Sequence, residues 1–398
     1  MIAMEKLEFN EDENQLETEE DMASPRKIIT SEAVLSGNDW TTETIISQIN
    51  KGNIQLNPSF QRRDAWDIVR KSKFIESLIL GFPVPQIVLA ESKERRGAYI
   101  VLDGKQRLLT LRQFSASESD ELYNQLKLKG LEIRKDLVGF SLDLLKSNLA
   151  CFDDQSSFEN QPIRTVVIKN WPDENFLYHI FLRLNTGSVP LSPQELRQAL
   201  HPGAFVSYLD ESSSTSNCLK DILKISEPDF RMRDAELLLR YVAFKNYLPD
   251  YTGLLKEFLD NTCMKLNKDW ALKKQMIIQQ VASLELAHST VKSIFKKNGY
   301  RKWSGREYET RFNRSIFDIM SLSMSNSDVR DTVKGKESIV ENAFKDLCGT
   351  NADFRNSIET TTKSLGATYT RISLWFSKIN EILGTELHVP TLTGNRII

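Results

Sequence analysis

Tyr99-Ile100-Val101-Leu102-Asp103-Gly104-Lys105-Gln106-Arg107-Leu108-Leu109-Thr110-Leu111 is the stretch that decides the fold. Its apolar opening, bounded by Asp-Gly, predicts a strand over Ala98–Leu102. After the turn, Leu108, Leu111 and Phe114 recur at helical spacing. A strand that passes through Asp-Gly straight into a helix presents unpaired backbone N–H groups, and these favour an anion such as phosphate. A plainer reading stays open beside it: Asp103 caps the helix, Gly104 supplies the turn, and Arg107 is a solvated first-turn residue.

Working upstream, Gln86–Ala90 predicts a partner strand, separated from the first by the charged loop Glu91–Gly97. A helix carrying Phe74, Ile75, Leu78 and Ile79 precedes it and stops at Gly81-Phe82-Pro83. Earlier still, Trp40–Asn50 has Ile45, Ile46 and Ile49 at helical spacing and ends at Lys51-Gly52-Asn53, followed by an extended piece, Ile54–Pro58. Downstream, Ile163–Ile168 predicts a strand. Phe176, Leu177, Ile180, Phe181 and Leu184 mark one helix face ending at Asn185-Thr186-Gly187. Ser192-Pro193-Gln194-Glu195 is a capping box that opens a helix through Leu200.

The stretch between about 115 and 160 carries no assignable pattern beyond polar loops. Glu211–Asn217 is serine-rich and predicts a linker. Beyond it only helices are expected, among them Arg233–Leu248, Trp270–Asn298, Tyr308–Ser321 and Thr370–Leu383. The expected fold class is α+β: a small mixed sheet with surrounding helices, followed by an all-helical C-terminal region. The expected organisation is an acidic disordered tail over 1–28, a nucleotide-binding domain over 29–210 and a helical domain over 218–398.

With 398 residues the chain has ample length for two cores. It is 40% hydrophobic and 27% charged, with mean hydropathy −0.37 and no apolar run of membrane-spanning length. The first residues carry neither a basic n-region nor an apolar h-region, so a cytoplasmic protein without a membrane partner is expected. Cys151, Cys218, Cys263 and Cys348 are widely spaced, which argues against a zinc site and a disulfide framework. His179, His201, His288 and His388 form no metal-histidine nuclease grouping, and His288 is expected on a helix face. Residues 1–21 hold nine acids against Lys6, so of the formal charge of −2 they carry −8 and residues 22–398 carry +6. A mildly basic body is compatible with nucleic-acid contact.

Four blocks in order, FQRRDAW (60–66), FIESLILGFPVPQIVLA (74–90), YIVLDGKQRLLTL (99–111) and FLRLNTGSVPLSPQELRQAL (181–200), resemble the GmrSD restriction endonuclease N-terminal domain family. That family is similar in fold to the ParB and sulfiredoxin superfamily, and the resemblance covers roughly residues 40–245. It implies a nucleotide-binding cleft, hydrolysis of an NTP with Mg²⁺, and cleavage or nicking of DNA in bacterial defence. The hallmark of the family is DGQQR, and here Lys105 occupies its third position.

The resemblance implies catalytic roles for Asp103, Gln106 and Arg107, with Asp103 holding Mg²⁺ or orienting a water and Gln106 positioning that water. It implies phosphate or nucleotide contacts from Gln61, Arg62, Gly104, Lys105, Arg183 and Asn185, with Glu195 and Arg197 as further candidates. Structural roles stay open for several of these: a solvated Lys105, a salt-bridged Arg62, a helix-capping Asn185, a capping-box Glu195 and a surface Arg197. Trp66 is expected to anchor the core rather than to stack a base. DNA is the expected macromolecular partner, with a partner nuclease as a further one. The alternative is a non-catalytic nucleotide- or DNA-binding module that recruits such a nuclease.

Overall fold

The computed structural model describes residues 33–56, 63–184 and 192–398, and the acidic tail over 1–28 lies outside them. Strands β1 (Val34–Thr41), β2 (Ile87–Glu91), β3 (Tyr99–Asp103) and β4 (Pro162–Lys169) form one sheet in the order β1-β4-β2-β3. β2 runs antiparallel to β3 and parallel to β4, and β4 runs antiparallel to β1, so the sheet is mixed as expected. Ile87, Val88, Leu89 and Ala90 are all buried, in keeping with an unbroken apolar strand at the centre of a covered sheet.

β1 was not foreseeable from its residues, because VLSGNDWT has no apolar alternation and most of it is exposed. Its eight-residue ladder with β4, from Val34 opposite Lys169 to Thr41 opposite Pro162, makes it the sheet edge. The helix expected from Trp40 therefore starts later, as α1 (Thr42–Asn50), with Thr41 Oγ1 accepting from Thr44 N at 3.2 Å as its cap. The extended piece that follows touches the sheet through a bridge from Ile54 to Tyr99.

Helices α2 (Ile68–Ile79), α3 (Lys105–Phe114), α4 (Leu142–Ser147) and α5 (Phe152–Asn160) follow, then α6 (Glu174–Leu184) and α7 (Pro193–Leu200). α1 and α2 both pack against α3 and α5, while α6 and α7 pack against β3. Ile45, Ile75, Leu78, Leu108, Phe114 and Phe158 are buried between these layers, and Phe114 meets Phe158 edge-on at 5.3 Å. The stretch without sequence pattern thus contains α4 and α5. It is fastened to α2 by Glu76, whose Oε1 accepts from Ile133 N at 2.9 Å and Arg134 N at 2.7 Å.

Contacts divide the chain between Leu200 and His201. The second unit holds α8 (Ala204–Thr215), α9 (Asn217–Leu223), α10 (Arg233–Tyr247), α11 (Leu255–Lys268) and α12 (Trp270–Phe295). It continues with α13 (Arg314–Met324), α14 (Ser327–Val333), α15 (Glu337–Thr350), α16 (Ala352–Glu359) and α17 (Leu365–Leu383). The serine-rich stretch is not a linker: it ends α8 and opens α9. Ser213 and Ser214 are buried there and return their hydroxyls to the carbonyls of Asp210 and Glu211 at 3.1 and 2.8 Å, which lets polar residues line an inward helix face. The helix expected from Tyr308 begins at Arg314, because Tyr308 bridges to Trp303 and Asn313 caps Ile316 N at 2.9 Å. A short hairpin, β5 (Leu392–Thr393) with β6 (Arg396–Ile397), was also unforeseen.

The helical core buries charge as well as apolar surface. Asp318, fully buried, takes Arg240 in a two-pronged pair at 3.1 and 2.6 Å and also accepts from Arg371 at 3.4 Å. His288 on α12 is buried between Asp221 Oδ2, 2.8 Å from Nε2, and the Tyr300 hydroxyl, 3.1 Å from Nδ1.

Asp318→Asn leaves two arginines without their carboxylate and is expected to cost about 3–5 kcal/mol in chemical unfolding. Burial pushes the His288 imidazole below its ordinary 6.5 even though Asp221 pulls the other way. The unfolded chain then binds that proton more readily, so the stability His288 contributes is complete above 6.5 and is lost as pH falls below it. Melting curves of His288→Gln are expected to depend less on pH below 6.5 than those of the unaltered chain.

Candidate functional site

β3 reaches the site through an irregularity in its pairing. Val88 lies opposite Asp103 while Leu89 lies opposite Val101, so Leu102 is an extra residue on β3 immediately before the turn. Such a bulge re-aims the end of a strand. Gly104 follows at φ 96°, a left-handed conformation, and a side chain there would meet Ile87 Cγ1 at 3.1 Å. The turn needs glycine on both counts. α3 starts at the next residue, and no side chain caps it.

Asp103 does not act as the helix cap. Its Oδ2 accepts from Arg107 Nη2 at 2.8 Å, and the same nitrogen donates to the Gln86 carbonyl at 2.9 Å. Arg107 is not a solvated residue either: its side chain is 7% exposed, against 32% for Asp103. Its Nε is buried and has no hydrogen-bond partner among the described residues.

Lys105 is likewise buried rather than solvated. Its Nζ donates to Glu195 Oε1 at 2.5 Å, with both side chains no more than 6% exposed. The other oxygen of Glu195 accepts from Ser192 N at 2.7 Å, and Ser192 Oγ accepts from Glu195 N at 3.1 Å. The capping box is therefore real, and one carboxylate both closes it and holds Lys105. With its amide turned toward Asp64, Gln106 donates to Asp64 Oδ1 at 2.8 Å and accepts from Ala65 N at 3.3 Å. Asp64 also pairs with Lys71, which donates to Gln113 Oε1 at 2.7 Å.

Consecutive residues at the turn thus enter three separate contacts, Lys105 with Glu195, Arg107 with Asp103 and Gln106 with Asp64. Arg197 is no surface residue: it is fully buried, with Nη1 on Gln194 Oε1 at 2.7 Å. Arg183 is exposed on α6, and Gln61, Arg62 and Asn185 lie outside the described residues. Trp66 is half-buried, edge-on to Phe74 at 5.8 Å, with the Arg70 guanidinium 4.8 Å over its ring.

Sequence reasoning passed over Asp64 and Lys71. Asp64 sits in the same FQRRDAW block as the two residues that were singled out. Lys71 precedes Phe74, Ile75 and Leu78 by three, four and seven positions, which puts it on the inward face of α2. That spacing was the available signal.

Electrostatically the site is a set of matched pairs: Lys105 with Glu195, Arg107 with Asp103, Lys71 with Asp64. As a metal ligand Asp103 offers a single carboxylate with Oδ2 already on Arg107. This suits Mg²⁺ only where phosphate oxygens and waters complete the shell. Among the described residues no group of three or more His, Cys, Asp and Glu side chains gathers as a metal site. Glu195→Gln, which removes the carboxylate facing the buried Lys105 ammonium, is expected to cost about 3–5 kcal/mol, and adding Lys105→Gln to recover most of it, as read by a double-mutant cycle of unfolding.

Residues 42–202 match the family described as GmrSD restriction endonuclease, N-terminal domain, and that segment contains every side chain of the cluster. No curated protein and no solved structure matches the chain. No described helix is long and apolar enough to cross a membrane. The match covers less than half of the chain, and over residues 42–202 the protein is similar to the GmrSD restriction endonuclease N-terminal domain family, a likeness that points to DNA restriction.

Proposed function

We propose that the domain over residues 42–202 binds a nucleoside triphosphate at the start of α3 and hydrolyses it in the service of DNA restriction. The observation that carries this reading is the buried Nε of Arg107, which lacks a partner beside a helix start that no side chain caps. A phosphate oxygen satisfies both, since it accepts from the guanidinium and from the first-turn N–H groups.

In this reading Arg107, oriented by Asp103 and the Gln86 carbonyl, holds a phosphate oxygen as negative charge develops on it. Gln106, fixed against Asp64, orients the attacking water, which displaces the nucleoside diphosphate from the terminal phosphorus. Asp103 would hold Mg²⁺, which when bound would neutralise phosphate charge. Gly104 leaves the backbone bare for close approach. Lys105 acts through Glu195 as a positioning residue, because its charge is already matched. DNA is the target or the signal, and a partner nuclease is the agent of any cut this chain does not make.

The matched charges favour a second reading, a binding module without turnover. Lys105 and Arg107 each face a carboxylate, so less uncompensated positive charge remains for a triphosphate than two lysine-like cations would supply.

Phosphate release from each of the four ribonucleoside triphosphates, with Mg²⁺ and with or without DNA, separates the two. Turnover is expected, and Arg107→Ala is expected to lower it by about 100-fold or more. Calorimetric binding with no release of phosphate decides for the binding module. Turnover unchanged in Arg107→Ala removes the proposed catalytic role.

A further inference from the structure

The helical unit contains a cavity of about 660 Å³ between α9, the C-terminal end of α12 and the loop that follows it. Its rim carries Lys224, Lys292, Lys296, Lys297 and Arg301. Asp221 is the one carboxylate in the lining, and with His288 neutral the five cations leave a formal charge of +4. Asp221 is already engaged, accepting from Lys292 Nζ at 2.7 Å and facing His288 Nε2 at 2.8 Å. Ile222, Val291 and Phe312 form an apolar floor, and all three are buried. The volume lies within the range of small-molecule sites.

The backbone around this cavity is unusual in the same place. Among the described residues six that are not glycine have a positive φ, and three of these line the cavity: Lys224 at 55°, Lys296 at 53° and Tyr300 at 62°. Glycine adopts such angles freely, whereas a lysine or tyrosine held there keeps its side chain at the expense of backbone strain. Tyr300 is further fixed by its hydroxyl on His288 Nδ1 and by stacking on that ring, with centroids 5.8 Å apart and planes 11° apart. Tyr300 is thus held in place, and the same cavity is lined by five cations and by buried apolar side chains.

We propose that this cavity is a nucleotide-binding site, in which the rim lysines and Arg301 hold the phosphate and the floor of Ile222, Val291 and Phe312 receives the base. A cluster of cations on a flat surface serves any polyanion, but a cationic rim over an apolar floor suits an anion with a flat apolar body. The nucleotide is either free or part of a nucleic-acid strand. This site lies outside residues 42–202 and does not rest on the function proposed for them.

The test uses the full chain, titrated separately with ADP, a short single-stranded DNA oligonucleotide and inorganic phosphate. Hydrogen exchange is followed at residues 288–301 and at residues 99–114. Protection is expected at 288–301, and Lys297→Glu with Arg301→Glu is expected to abolish it and to weaken binding there by about tenfold or more, with a shallower salt dependence. The milder pair Lys297→Ala with Arg301→Ala is expected to act in the same direction, and it keeps the test valid if the charge reversal disturbs folding. Protection by ADP alone assigns a free nucleotide, and protection by the oligonucleotide assigns a strand. No protection at 288–301 by ADP or DNA, equal protection in the double variants, or phosphate acting as well as ADP would each overturn the proposal. Exchange at 99–114 reports separately on the other site.

Discussion

A lysine ammonium sealed beneath the surface requires a counter-charge, and the position of Lys105 at the head of α3 makes that requirement structural. Glu195 supplies the charge from 90 residues further along the chain, and the same carboxylate closes the cap of its own helix. The turn after β3 and the start of α7 are thereby held together by one side chain. Arg107 inherits this fixed geometry, since its helix cannot shift without pulling Lys105 away from Glu195. The buried Nε is left without a partner among the described residues, because the guanidinium is held by Asp103 and the Gln86 carbonyl through Nη2.

Two very different electrostatic environments result within one chain. Around the turn after β3 the buried cations Lys71, Lys105 and Arg107 each face a carboxylate, so the local field is that of neighbouring dipoles, and specificity depends on orientation. In the helical unit the cations just past α9, on α12 and in the following loop outnumber the acids at one concave place. The net charge of +6 that the sequence assigns to residues 22–398 is therefore a poor guide by itself. What matters is that some of it is cancelled in pairs and some of it is concentrated.

The strand-turn-helix around Asp103 was legible because a short unbroken apolar run gives way there to apolar residues at helical spacing, and because Asp-Gly marks the turn between them. The capping box at Ser192 was legible for a similarly local reason. Depth was not legible. Lys105, Arg107 and Arg197 look like surface residues in a linear reading, and only tertiary partners explain their burial. β1 escaped notice because its strand character comes from β4 rather than from its own residues, and Glu211–Asn217 looked like a linker because serines that bond back to their own helix are compositionally indistinguishable from loop serines. Asp64 and Lys71 were within reach of periodicity, whereas Gln61, Arg62 and Asn185 lie outside the described residues.

β1 ends at Thr41, and the segment that matches the family begins at residue 42. A fragment excised at that boundary would leave β4 with an open row of N–H and C=O groups along its length, a template for pairing with other chains. The autonomy of this domain as a piece that can be expressed, swapped or fused thus depends on eight residues that the homologous region does not include.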